Sequence, residues 1–472
     1  MDADLAIVGA GPAGMAAAVQ ARQLGLSVVL LDEQPRAGGQ IYRNIERPAL
    51  RDRAILGPDY YAGAQLAEAF RDSGCRHISG ATVWQITPEG QLFYSSEGAS
   101  ASLNCRHVLI ASGAQERPMP IPGWTLPGVM TAGAAQILLK NPGLAAQDAV
   151  FAGSGPLLYL IVWQYLQAGI RVKAVLDTMP AGNYRSALRQ LGGALRGRHY
   201  LIKGLKLFRE IKRAGIPFIR GVTELEALGD SGSGVSQVRY RAKGRQALID
   251  TRQLFLHQGV VPNVNLAMAS GCEHRWNDRQ LCWTPKLDPW GQSSQSHISI
   301  AGDGSGIGGA VAAALRGRLA VQQIACLLGR QTAAQRDASS RQWRRQLQRE
   351  LAFRPFLDTL YRPTEPFRKP VREEVMVCRC EEVTLGDIRA AAAQGCMGPN
   401  QLKSFTRCGM GPCQGRQCGL TVSELMAELN QQPVEDSGYY RLRAPVKPLN
   451  LGELATLADP AATIDQETAN EH

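Results

Sequence analysis

Long apolar runs are missing from this chain of 472 residues. Crossing a bilayer takes about 20 consecutive apolar residues. The longest run here, Pro156–Val162, is soon interrupted by Gln164, and the segment reads as a buried helix. Near Met1 there is no basic lead or apolar core of a targeting signal, and the chain enters its first strand almost at once. The expectation is a cytoplasmic protein, with peripheral contact at the inner face of a membrane left open. No CxxC follows Gly38-Gly39, and none lies between Ala149 and Asp177, so electrons are not passed to an internal dithiol. The seven histidines (His77, His107, His199, His257, His274, His297 and His472) stand apart and in no nucleophile or metal motif, and each is expected to be structural or exposed. Glu373-Glu374 and Glu381-Glu382 are adjacent in extended segments, where side chains diverge, which argues against acid–base work. No catalytic residue is assigned.

A composition of 44% hydrophobic and 20% charged residues belongs to a folded chain, long enough for about three domains. The net charge of +11 gathers in Arg185–Arg220 and Arg341–Arg354, read as basic helical stretches. Without aromatic interleaving or a helix-turn-helix signature these do not indicate nucleic acid. They read as solvated faces or as docking surfaces for an acidic partner.

Asp4–Gly9 is a short apolar strand that runs into Gly9-Ala10-Gly11-Pro12-Ala13-Gly14. Pro12–Leu24 has Ala-rich helical spacing, and Ser27–Leu31 is a second strand closing on Asp32 and Glu33. Strand, tight turn, helix and strand make a dinucleotide-binding unit. Gly9 permits the turn, Gly11 lets a pyrophosphate approach, and Gly14 lets the helix pack on the strand. A terminal acid binds a ribose hydroxyl: counting from the glycines favours Asp32, and counting back from Gly38-Gly39 favours Glu33. A second unit runs from Ala149–Ala152 through Gly153-Ser154-Gly155 to Arg171–Leu176, ending at Asp177. Its third glycine position holds Leu158, which should push the helix off the strand or narrow the pyrophosphate groove. Nicotinamide binding, an adenine nucleotide held without turnover and a purely structural fold all remain open there.

Val108–Gly123 is an apolar strand, a small-residue turn through Ala111 and Gly113, and a Pro-rich exit. Ile298–Ala314 is a strand ending at Gly302-Asp303, then a Gly-rich turn through Gly309 into a helix. Both resemble motifs of the two-dinucleotide-domain flavoprotein superfamily that includes thioredoxin reductase and glutathione reductase. The resemblance implies FAD, with Gly39 and Gln40 beside it, Asp303 bonded to the ribityl chain, and the following helix aimed at the flavin.

Six of the eleven cysteines lie beyond residue 370. In a cytoplasmic chain, cysteines more often bind metal than form disulfides. Cys378-Arg379-Cys380 sits in a tight loop, Thr384–Asp387 is a capping-box helix start, and Cys408, Cys413 and Cys418 fall in a Gly-rich loop leading to helix Leu420–Leu429. Glycine-rich loops leave backbone N–H groups free for cluster sulfides. The segment resembles the ferredoxin-like [2Fe-2S] domain related to bacterioferritin-associated ferredoxin. That resemblance implies Cys378, Cys380, Cys413 and Cys418 as ligands, with Cys408 able to replace one of them. Cys396 reads as a small buried residue, and zinc is the alternative metal.

In order along the chain, GAGPAG, DEQPRAGGQIYR, GSGPLL, AGDGSGIGGA, VCRCEEVT, TRCGMGPCQGRQCG and YYRLRAPVKPLNLGELA resemble the flavin and iron–sulfur subunit of heteromeric amine-oxidising dehydrogenases. That family includes the A subunit of opine oxidase, the α subunit of D-hydroxyproline dehydrogenase and the B subunit of hydrogen cyanide synthase. The resemblance implies an α/β fold of the two-dinucleotide-binding-domain type: an FAD-binding domain at 1–125 and 265–330, a second Rossmann-like domain at 126–264, a basic connector at 331–372, the [2Fe-2S] domain at 373–432 and a tail at 433–472. It further implies, as partner, a D-amino-acid-oxidase-type FAD catalytic subunit, with a small ferredoxin-like subunit, FMN at a subunit interface, and a respiratory-chain or other electron acceptor. An adenine nucleotide, NAD or ATP, in the second Rossmann-like domain stays open beside the alternatives named above. Two other functions stay open: a self-sufficient NAD(P)H-dependent flavin/iron–sulfur reductase, and an iron- or redox-sensing scaffold.

Overall fold

The computed structural model describes residues 2–458; His472 and the tail beyond 458 lie outside the described residues. The first sheet is parallel at its centre. Its order is Arg76–Ser79, Val28–Asp32, Ala3–Val8, Ala99–Ile110, with Ile298–Ile300 pairing the end of the last. Ile298–Ile300 therefore returns from far along the chain to finish a sheet begun at residue 3. Gln91–Ser96 and Thr82–Ile86 extend the other half of Ala99–Ile110 as an antiparallel meander.

Leu5, Ile7, Val29, Leu30 and Leu31 are buried, the near-continuous apolar run of a strand covered on both faces. One cover is helix Pro12–Gln23, crossed by helix Ala310–Leu327. A Cβ on Gly317 would lie 2.1 Å from the Ala13 carbonyl oxygen, so the crossing requires a glycine there.

A second parallel sheet has the order Phe218–Arg220, Val172–Asp177, Ala149–Gly153, Leu254–His257, Val129–Thr131. A three-stranded antiparallel sheet, Val222–Asp230, Gly234–Ala242 and Arg245–Asp250, stands beside it. The expected buried helix spans Pro156–Gln167 and carries Gln164 within it. That amide is buried, donates to the Leu56 carbonyl and accepts from the Gln136 amide, so a polar residue continues a buried helix because both ends of its amide are paired.

The basic stretches are only partly as expected. Helices end at Arg213, and Phe218–Arg220 is a strand. Helix Ala333–Ala352 starts earlier than the basic run suggests, at a capping box formed by Thr332 and Gln335. The Arg354-Pro355-Phe356 segment marks a break between helices: Ala333–Ala352 ends just before it, and Pro355 sits in the first turn of helix Arg354–Leu360, where its missing N–H costs nothing.

The cysteine-bearing segment has its own core, with Val377, Leu385, Ile388, Leu402, Val422 and Met426 beneath hairpin Met376–Cys378/Val383–Thr384 and three helices. Helix Leu385–Ala393 opens on the Thr384–Asp387 capping box, and Cys396 is fully buried. Arg368 and Glu424 form a buried ion pair between this segment and the chain entering it. Past Tyr440 the chain returns to the first sheet, where Val446 enters the core and Thr456 bonds Ser100.

Candidate cofactor cavity and cysteine centre

A cavity of about 970 Å³ collects the turns of both parallel sheets. Gly9, Gly11, Pro12 and Ala13 line it, with Gly39 packed beside Gly11 and Gln40 next to it. Ala111, Gly113, Gly302, Asp303 and Gly309 close the side toward the returning strand. Gly14 lies beneath the turn: a Cβ there would sit 1.8 Å from the Gly9 carbonyl oxygen, so only glycine lets the helix seat. At Gly11 a Cβ would meet nothing closer than Gly39 Cα at 3.9 Å, and its space belongs to the cavity. Gly11 is also the cap of helix Pro12–Gln23 and has no side-chain bond at that end. An uncapped helix N-terminus over a glycine cradle fits a pyrophosphate.

Both candidate ribose acids line the cavity, and their surroundings differ. Asp32 is tied to the turn, accepting from the Ala10 N–H at 2.5 Å and the Gln34 N–H at 2.7 Å. Glu33 pairs with Lys447 at 2.6 Å, a cation delivered by the C-terminal return. Asp303 accepts from the Gly308 and Gly309 N–H groups at 2.8 and 3.0 Å, which fixes the start of helix Ala310–Leu327 at the cavity wall.

Three features escaped the sequence reading. Lys140 is buried, and its ammonium donates to the Gln40 and Ile41 carbonyls and to Gln136 Oε1 at 2.9–3.1 Å. It holds the loop carrying Gly39 and Gln40 from a helix 100 residues away in sequence. Burial, with Arg43 adding repulsion, pulls its pKa down to about 7. In an unfolded chain the value is about 10.4, so the unfolded state binds more protons between pH 7 and 10 and stability rises with pH across that window. The slope is at most about 1.4 kcal/mol per pH unit. Lys140→Met is expected to flatten that part of the urea-midpoint profile. A variant profile parallel to the parent's would remove Lys140 as its origin.

Glu116 and His257 form the second feature. Glu116 Oε2 accepts the Gly133 N–H at 2.8 Å, and Oε1 pairs with His257 Nδ1 at 2.6 Å. The imidazole stands against Gly155 at the second dinucleotide turn, where Ser154, Gly155, Lys203 and Lys206 also line the cavity. Leu158 is fully buried in the core.

The third feature is the link to the cysteines. Gln115 Nε2 donates to the Arg416 carbonyl and Asn265 Nδ2 to the Gln414 carbonyl, both at 2.8 Å. The loop between Cys413 and Cys418 is thus bonded to strand Ala114–Glu116 and helix Asn265–Ala269, whose Gln115 and Asn265 line the cavity, and Arg416 itself reaches the wall.

The sulfurs of Cys378, Cys408 and Cys418 lie within 4.8 Å of one another and are buried. Cys380 and Cys413 face each other beside them, with Cys380 exposed. Thiols of Cys408 and Cys418 directed at Cys378 hold its pKa well below the usual thiol range, while the same contact pushes Cys408 up to about 12. Three buried sulfurs this close together form a donor set suited to a thiophilic cation. Equal spacing from Cys413 was the only sequence signal for Cys408.

The fold and cavity define a flavoprotein oxidoreductase of the two-dinucleotide-fold class, for which FAD is the cofactor, and the Gly11–Gly39 cradle fits that group. Residues 3–157 match the pyridine nucleotide-disulphide oxidoreductase family, and residues 372–458 match the sarcosine oxidase A3 domain. The chain is 44% identical to the opine oxidase A subunit of Rhizobium meliloti, over 99% of this chain and 90% of that protein. It is 35% identical to hydrogen cyanide synthase subunit HcnB of Pseudomonas aeruginosa, over 96% of this chain and 99% of the relative. L-proline dehydrogenase from P. horikoshii shares the fold with a TM-score of 0.71 at 18% identity, over 96% of this chain and 79% of that one. The chain belongs to the family of the opine oxidase A subunit, a family of oxidoreductases. Among the described residues, no helix is long and apolar enough to cross a membrane.

Proposed function

We propose that this chain is the flavin and iron–sulfur electron-transfer subunit of a heteromeric dehydrogenase or oxidase acting on an amino acid, imino acid or opine. C–N oxidation takes place on a partner FAD subunit. When bound, FAD accepts electrons in pairs and a [2Fe-2S] centre passes them on singly to an external acceptor. The observation that carries this reading is the pair of 2.8 Å hydrogen bonds from Gln115 and Asn265 to the cysteine loop, which set the cysteine centre beside the cavity wall. The relatives' names supply the substrate class and the heteromeric state.

Four thiolates are needed, and five cysteines are available. Cys378, Cys380 and Cys413 would hold the cluster together with either Cys408 or Cys418. In the cavity, Gly11 and the uncapped helix Pro12–Gln23 would receive the pyrophosphate, with Asp32 or Glu33 on the ribose. Ser154, Gly155, Lys203 and Lys206 would hold an adenine nucleotide at the second turn. FMN would lie at the interface with the partner. No side chain of this chain is assigned to proton abstraction from substrate.

The test is an absorption and EPR spectrum of the anaerobically purified chain before and after dithionite, with iron and sulfide quantified, then repeated with amine in the presence and absence of the co-expressed partner. The expected result is a flavin spectrum, a reduced-state [2Fe-2S] signal, and reduction by amine only with the partner present. Amine oxidation by the chain alone, or rapid flavin bleaching by NADH, would overturn it.

A further inference from the structure

The cysteine loop is built around a tyrosine that lies outside it. Tyr440 follows the last helix of the cysteine segment, is 3% exposed, and lays its ring over the loop. A Cβ on Gly409 would come within 2.4 Å of that ring, and one on Gly415 within 2.6 Å. Glycines at these positions therefore make room for an aromatic side chain as well as for loop curvature. The hydroxyl then sits among the sulfurs, 3.3 Å from Cys408 Sγ, toward which it donates, and 3.6 Å from Cys418 Sγ. Lys403 Nζ lies 5.0 Å from the ring centroid and donates to the Arg441 carbonyl, adding positive charge on the outer side.

We propose that the Tyr440 hydroxyl is a hydrogen-bond donor to the sulfur ligands of the cysteine centre and raises its reduction potential. The proposal rests on the iron–sulfur reading above. One-electron reduction adds negative charge to the centre, and thiolate sulfur carries part of it. A buried O–H aimed at that sulfur stabilises the reduced form more than the oxidised form, as outer hydrogen bonds do at metal sites generally. Because the hydroxyl spans Cys408 and Cys418, the effect holds whichever of the two is a ligand. Tyr440 is a positioning residue, since it acts through sulfur and touches no substrate.

The experiment is an EPR-monitored redox titration of the full chain and its Tyr440→Phe variant, which keeps the ring between the two glycines and removes only the oxygen. The expected result is a lower potential in the variant: at fixed ambient potential the reduced-to-oxidised ratio falls about tenfold, or about 59 mV for one electron. ENDOR in deuterated buffer should lose one exchangeable-proton coupling in parallel. An unchanged potential with the cluster intact overturns the proposal and leaves the iron–sulfur reading standing. A variant that no longer assembles a cluster also overturns it, because the hydroxyl would then serve assembly. A parent chain without a cluster removes both readings.

Discussion

Replacing Gly11 by alanine is expected to strip the chain of FAD while leaving it folded. A Cβ at this position would meet nothing in the protein closer than 3.9 Å, so the apo fold can accommodate it. The methyl would instead project into the cavity beside Gly39, on the path of a pyrophosphate toward the uncapped start of helix Pro12–Gln23. Losing that close approach should weaken FAD by at least about 100-fold, near 2.8 kcal/mol at about 1.4 kcal/mol per tenfold. Gly14→Ala provides the contrast. Its Cβ falls 1.8 Å from a backbone oxygen that cannot yield, so the helix must shift, at a cost of roughly 1–3 kcal/mol in stability. The flavin-to-protein absorbance ratio and thermal unfolding of the apo forms separate the two. If Gly11→Ala keeps its flavin, the cradle lies elsewhere in the cavity.

Cys378→Ser is expected to remove the metal centre and spare the flavin. Cys378 belongs to the buried three-sulfur group, so serine there withdraws one of the three sulfurs gathered at the centre. Iron and sulfide should fall from about two each per chain to less than a tenth of that, with the flavin bands unchanged. Cys408→Ser and Cys418→Ser then identify the fourth ligand, because only one of that pair is needed beside Cys378, Cys380 and Cys413. Cys396→Ser is the control: Cys396 is buried, stands outside the sulfur group, and should retain iron at the parent level. Full iron in Cys378→Ser would exclude this centre as the cluster site.

Short-range chemistry was legible in the sequence. The glycine turn does lie between strand Ala3–Val8 and helix Pro12–Gln23, with Val28–Asp32 following, because glycine spacing and apolar runs act within a few residues. The Thr384–Asp387 capping box and the burial of Cys396 were readable for the same reason. Membership in a two-dinucleotide-fold family was legible as well, since its turn motifs occur in order along the whole chain.

Contacts made across long stretches of chain were not. Gln164 marks the end of an apolar run in the sequence, and nothing near it announces the Gln136 and Leu56 partners that let its amide be buried. Nothing around Lys140 announces that it holds Gln40 and Ile41, and nothing around Glu116 points to His257, its partner 141 residues away. Spacing could name Cys408 as a spare ligand, but only packing brought its sulfur to Cys378 and Cys418 beneath Tyr440. The sequence by itself determined the turns, the caps and the family, which depend on backbone conformation and local hydrogen bonding. The tertiary structure decided which buried polar groups meet, because each such group must find a partner once water is gone, and that partner is set by how the layers pack.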